Sequence, residues 1–252
     1  MNKTGLKILI VALIIITLVV GYFAISYRLD YPPRSGKMEA EEKLMVKYIS
    51  EDLPIDPFAD VWNRVPPVEV DLYPQSARTP HGVSEKKLMA KGLYNDEKIS
   101  FLVEFEDETE NRILPMNPDA CAILFTSGEG PVARQMMGYG GSANVWYWLA
   151  DKDLKKYQQG DETINVVREL IASGPGTQTP MKEQYVQGQG IYRNGKWSVV
   201  FQRQLASRQG DEFDFKMGSD PKIAFALWDG QKMESFARKS IAILRTLILE
   251  GK

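Results

Sequence analysis

Short apolar runs, each closed by a turn signal, recur along the chain from Leu53 onward. Val68-Glu-Val-Asp-Leu72 alternates apolar and polar residues, the two-residue period of a strand with one buried face. Lys98-Ile-Ser-Phe-Leu-Val-Glu-Phe105 follows Asn95-Asp96 and predicts a half-buried strand after a turn. Ala120-Cys-Ala-Ile-Leu-Phe125 is continuously apolar, the pattern of a buried strand, which makes Cys121 a small core residue. Asn144 to Leu149 reads as an aromatic-rich strand, and Lys196 to Arg203 follows an Asn194-Gly195 turn. Ile223 to Trp228 runs into Asp229-Gly230, another turn signal. Ser240 to Leu249 fits helix or strand on its own pattern and is read as a strand from the company it keeps. Many short strands with spaced turn signals predict a β-sandwich or barrel. Two stretches break the pattern. Met38 to Tyr48 predicts a short helix, and Asp151 to Gln184 is polar, with helix over Glu162 to Ala172, as an insertion or crossing loop.

Before these strands stands a different kind of segment. Ile8 to Ile25 carries no charge and is long enough to span a hydrocarbon core as a helix. Its length and the lack of a clean small-x-small cleavage site predict a retained anchor rather than a removed signal peptide. Lys3 and Lys7 precede it and Arg28, Arg34 and Lys37 follow, so charge alone does not orient it. Tyr31-Pro-Pro-Arg-Ser-Gly-Lys37 has the composition of a stiff polar stalk. The expected organisation is an anchor over 1–27, a stalk over 28–53 and one domain over 54–252.

Composition narrows the chemistry. A net charge of −2 leaves no basic excess to neutralise phosphates, which argues against nucleic acid. One Cys and one His exclude a disulfide framework, a Cys/His zinc site and a four-cysteine iron–sulfur cluster. They equally exclude covalent c-type haem and a bis-histidine haem.

The stretch from Pro131 to Trp148 couples a glycine-punctuated loop, holding Met136 and Met137, to the Asn144 strand. Glycines let backbone approach a ligand closely, and thioethers suit a soft metal. Packing explains the same residues: methionine fills core gaps, and Trp-x-Trp on a strand is commonly interior.

One ordered set of residues extends this further. Asp56-Pro57, Trp62, Val68-x-Val-x-Leu-x-Pro-Gln75, Lys91-Gly-Leu-Tyr-Asn-Asp-Glu-Lys-Ile99, Met137-Gly138, Val145-Trp-Tyr-Trp148, Gly195-x-Trp197, Phe201-x-Arg203 and Ala224-Phe-Ala-Leu-Trp-Asp-Gly230 occur in sequence. Together they resemble the haem-b γ subunit family of ethylbenzene dehydrogenase and its relatives, among them dimethylsulfide dehydrogenase, chlorate and selenate reductases, and nitrite or nitrate oxidoreductases. The resemblance runs from about Asp56 to Leu249.

It implies a mainly β fold, a two-sheet antiparallel β-sandwich with a few short helices, here preceded by the N-terminal transmembrane helix. It implies one non-covalent haem b held between an axial methionine and an axial lysine. The family methionine precedes the glycine of a Met-Gly pair, which points to Met137, with Met136 beside it as the alternative. The family lysine opens the final strand in a Lys-Ser pair, which points to Lys239-Ser240; Lys232, the nearest rival, lies in the turn and lacks the serine. His81 is read as a loop residue, with contact to the haem propionates as its minor alternative. Two axial ligands leave no position for substrate, so the implied role is an electron relay and not an enzyme. The implied partners are an iron–sulfur β subunit, a molybdopterin catalytic α subunit and a c-type cytochrome or quinone-linked carrier, at a membrane and on its extracytoplasmic, periplasmic side. Two other classes stay open: a haem-free, membrane-anchored carbohydrate- or ligand-binding sandwich, and a structural tether whose haem site is lost.

Overall fold

Alternation of buried and exposed positions organises thirteen strands in the computed structural model, which describes Thr17 and residues 42–75, 86–126, 143–160, 164–173, 177–208, 210, 213–219 and 221–251. Ile8 to Ile25 (Thr17 apart), His81, Met136 and Met137 lie outside the described residues. Among the described residues no helix is long and apolar enough to cross a membrane.

The strands are β1 (Lys43–Tyr48), β2 (Val68–Pro74), β3 (Lys86–Tyr94), β4 (Lys98–Glu106), β5 (Ala120–Thr126), β6 (Ala143–Leu149), β7 (Val167–Ala172), β8 (Thr179–Pro180), β9 (Gln187–Arg193), β10 (Lys196–Gln204), β11 (Lys222–Trp228), β12 (Ser240–Ala242) and β13 (Arg245–Leu249). One α-helix, α1 (Ala150–Gln159), and a 3-10 turn at Asp60–Arg64 complete the described elements. The strands hydrogen-bond in the order β8-β7-β6-β5-β11-β12-β2-β3-β4-β10-β9, while β1 runs parallel to both β13 and β3. Every other pairing is antiparallel.

The fold is mainly antiparallel β and sandwich-like. Its two halves meet across one aromatic core: Phe101 of β4 lies 5.5 Å from Phe125 of β5, and Trp197 of β10 lies 4.8 Å from Trp148 of β6 in an edge-on contact. Such pairs are worth about 0.5–1.5 kcal/mol each beyond the apolar area they bury. Arg203 and Glu169 form an ion pair at 3.0 Å inside this core, with the guanidinium over the rings of Trp146 and Phe215.

Several expectations change. Lys43–Tyr48, expected as part of a helix, is strand β1, because Leu44 and Val46 both point into the core at a two-residue spacing. The polar region after Asp151 is helical at its start, over Ala150–Gln159, with Asp151 and Asp153 in the first turn and Gly160 closing it at φ 60°. Val167–Ala172, expected as helix, is β7 and adds to the sheet beside β6. Its Glu169 is buried because Arg203 answers its charge, which disguises the strand's interior face as polar. β4 is buried along nearly its whole length rather than on one face. The final run is strand as expected, divided into β12 and β13.

Candidate functional site

Along β6 the side chains alternate between two environments. Trp146 and Trp148 are wholly buried in the aromatic core, where their indoles donate to Asn144 Oδ1 and to Asp153. Val145, Tyr147 and Leu149 point the other way and line a cavity of about 600 Å³. That volume suits a cofactor-sized ligand. The tryptophans of the Trp-x-Trp strand are therefore packing, and the residues between them face the site.

Val145, Tyr147, Leu149, Leu170 and Trp228 of this lining also belong to, or pack against, a second apolar cluster of the sheet. Ala120, Ala122, Ala143, Ala172, Ala224 and Ala226 form a cluster with Val145, Leu170, Trp228 and Ile241, on the face opposite the main core. The register explains the assembly: Trp228 pairs with Ala120 and Ala120 pairs with Leu149, so β11, β5 and β6 present alternate residues side by side. Tyr147 meets the Trp228 ring edge-on at 5.0 Å, and burial pushes its hydroxyl up to about 12, so it stays protonated.

Lys239 lines the same cavity from the turn between β11 and β12. It is 5% exposed, and among the described residues no carboxylate pairs with it. Its Nζ donates to the Phe236 carbonyl at 3.2 Å and lies 5.0 Å from the centre of the Trp228 ring. Burial holds its pKa down at about 8, because an ammonium loses hydration there without gaining a counter-charge. Lys232 differs on each point: its side chain is 41% exposed and pairs with Asp229 at 3.2 Å. Of the two lysines, only Lys239 is brought to the cavity.

The turn that presents Lys239 is tied at many points. Gly230 donates to Asp119 Oδ1, Asp229 donates to Glu234 Oε2, and the Lys232 amide donates to Asp229 Oδ1. A Cβ at Gly230 would stand 1.9 Å from the Asn117 carbonyl oxygen, so only glycine fits. Asp107, Asp119 and Asp229 bring carboxylate oxygens within 4.8 Å of one another. Asp229 is paired with Lys86 at 2.9 Å, and Asp119 accepts from Asn111, Trp197 and Gly230. The carboxylates thus serve to hold loops together.

Among the described residues, several buried polar atoms have no protein partner. Gln75 Oε1, Asp151 Oδ1 and Glu234 Oε1 belong to residues that line the cavity, and Arg238 Nε and Ser240 Oγ flank Lys239 in sequence. An unpartnered buried polar atom costs about 1–3 kcal/mol unless water or a ligand reaches it. Glu234 is 2% exposed, and burial raises its carboxyl pKa.

Sequence reasoning singled out Lys239 and missed Tyr147, Trp228 and Glu234 as its neighbours. The strand period carried part of that signal, since burying Trp146 and Trp148 on one face commits Tyr147 to the other. The Met137 reading, with Met136 as its alternative, falls in the segment joining β5 to β6, outside the described residues.

A family model described as ethylbenzene dehydrogenase matches residues 59–184 and 173–240. A Haloferax mediterranei protein named as a respiratory nitrate reductase heme subunit is 28% identical over 249 residues, covering 96% of this chain and 83% of its own. The chlorate reductase subunit gamma of Ideonella dechloratans is 24% identical over 194 residues, covering 74% of this chain and 76% of its own. Among solved structures, a carbohydrate-binding protein from Bacteroides uniformis matches with a TM-score of 0.52 at 10% identity, over 84% of this chain and all of that one. That likeness concerns the fold alone.

Proposed function

We infer, since the chain belongs to the ethylbenzene dehydrogenase family, that it is the haem-carrying electron-transfer subunit of a molybdenum oxidoreductase complex. The observation that carries this reading is Lys239, a buried amine with which no carboxylate pairs among the described residues, in a cavity lined by Val145, Tyr147, Leu149, Leu170 and Trp228. The names of the two relatives, a heme subunit and a gamma subunit of reductases, support it.

The residues fit the group. A haem is a flat apolar macrocycle, and Val145, Tyr147, Leu149, Leu170 and Trp228 give the cavity an apolar wall to receive it. Its iron takes neutral nitrogen and sulfur donors. Lys239 can donate a lone pair only as the neutral amine, and burial already moves that form toward neutral pH. Met137 is the proposed thioether on the opposite side, Met136 the alternative. When bound, non-covalent haem b supplies a one-electron carrier. Two protein ligands would fill both axial positions, so this chain would pass electrons and not turn over substrate. The catalytic site then belongs to a molybdopterin α subunit, reached through an iron–sulfur β subunit, with a c-type cytochrome or quinone-linked carrier on the other side. Ile8 to Ile25 is the proposed membrane anchor, with the domain on the extracytoplasmic face.

A sugar-binding role finds less support. Sugar sites favour exposed aromatic faces, and all five tryptophans are buried. The test of the haem reading is the purified full chain: a b-type pyridine haemochrome and reversible one-electron reduction are expected. A protein that stays colourless after incubation with haem would defeat it.

A further inference from the structure

The cavity's lining combines apolar and cationic residues. Arg168 lines the cavity from β7, directly across from Tyr147 of β6 and two residues before Leu170. Lys152 lines it from the first turn of α1, which follows β6 without a break. Both therefore stand toward the end of β6 that leads into α1. The segment carrying Met137 joins the other end of β6, at Ala143.

Among the described residues the cations lining the cavity are Lys152, Arg168 and Lys239, and the acids are Asp151 and Glu234. Asp151 pairs with Lys155 through Oδ2 at 3.2 Å and keeps Oδ1 unpartnered, while Glu234 accepts from the Asp229 amide through Oε2 and burial raises its pKa. Among the described residues no carboxylate pairs with Arg168 or Lys152. With Lys239 committed as a neutral ligand, two cations remain beside an apolar cavity. The matching ligand has a flat apolar body and two carboxylates along one edge.

We propose that Arg168 and Lys152 receive the two propionate carboxylates of the cofactor, an assignment that rests on the haem reading above. They would set which edge of the macrocycle faces the α1 end of the cavity. The arginine offers a planar pair of donors matched to a carboxylate, and the lysine a point charge. Neither side chain belongs to the core, so both can be replaced without opening a buried cavity.

The test uses the full-length chain in detergent, stripped of haem, and compares binding of haemin with haemin dimethyl ester, whose propionates carry no charge. Wild type should prefer haemin, and the double variant Arg168→Gln, Lys152→Gln should lose roughly tenfold of that preference, with binding of the ester unchanged. Arg168→Lys should restore part of it. A double variant that keeps the full preference, or a wild type that binds both alike, overturns the assignment while leaving the haem reading intact. Failure of the wild type to bind either porphyrin removes the haem reading itself, and this assignment with it.

Discussion

Replacing Lys239 with methionine separates what the amine costs the ligand-free fold from what it contributes to binding. In the folded chain it is 5% exposed, and burial moves its pKa from 10.5 down to about 8. The unfolded chain keeps the ordinary value. One pKa unit corresponds to about 1.4 kcal/mol, so holding this ammonium in the ligand-free fold at pH 7 costs on the order of 3 kcal/mol. Between pH 8 and 10.5 the unfolded state binds the extra proton, so the contribution of Lys239 to ligand-free stability rises with pH through that window and is level below it. Methionine has similar length, no charge and no titration. Haem-free Lys239→Met should therefore be more stable than wild type by roughly 2–3 kcal/mol at pH 7, and the difference should shrink toward pH 10. Urea unfolding followed by tryptophan fluorescence at both pH values measures this, since all five tryptophans are buried. A variant of equal or lower stability at pH 7, or a gap that does not close by pH 10, would refute the reasoning.

Three further outcomes follow from other residues. A chain truncated to begin at Ser35 should be soluble and still take up haem, because the described sheet begins only at Lys43; aggregation or failure to load haem would show that the boundary is misplaced. Met137→His should retain haem and lower its midpoint potential, as imidazole favours ferric iron more than a thioether does, while Met136→His should change little; the opposite pattern moves the ligand by one residue. Asp153, pushed up to about 6 by burial, binds a proton in the folded state that the unfolded carboxyl releases near 3.8, so it should lower stability as pH rises from 4 to 6. Thermal melts of Asp153→Asn across that range should show a shallower decline than wild type, and an identical slope would count against this.

Most strands were legible because alternation and turn residues speak locally: Asn194 and Gly195 take the left-handed conformations their turn needs, at φ 53° and 76°. β1 was not, because Glu41, Glu42, Lys43 and Lys47 around Leu44 and Val46 look like a charged helix until the strand pairs with β13 and β3, both distant in sequence. β7 failed for a similar reason, since its buried Glu169 makes sense only beside Arg203, 34 residues away. Lys239 could be singled out from the Lys-Ser pair, but its lack of a counter-charge is a property of the folded surroundings. Arg168 and Lys152 gave no signal at all. Each reads as an ordinary surface cation until the register of β6 and β7 sets Arg168 across from Tyr147 and the helix after β6 sets Lys152 on the same cavity.

The most direct measurement is the absorption and near-infrared spectrum of the haem-loaded chain beside its Lys239→Ala and Lys232→Ala variants, each purified with haem fully occupied. Loss of the amine at Lys239 should leave a five-coordinate or water-ligated haem with shifted Soret and near-infrared bands. Lys232, exposed and paired with Asp229, should be replaceable without spectral change. An unchanged ligation spectrum in Lys239→Ala, or a changed one in Lys232→Ala, would contradict the assignment of Lys239 to the iron.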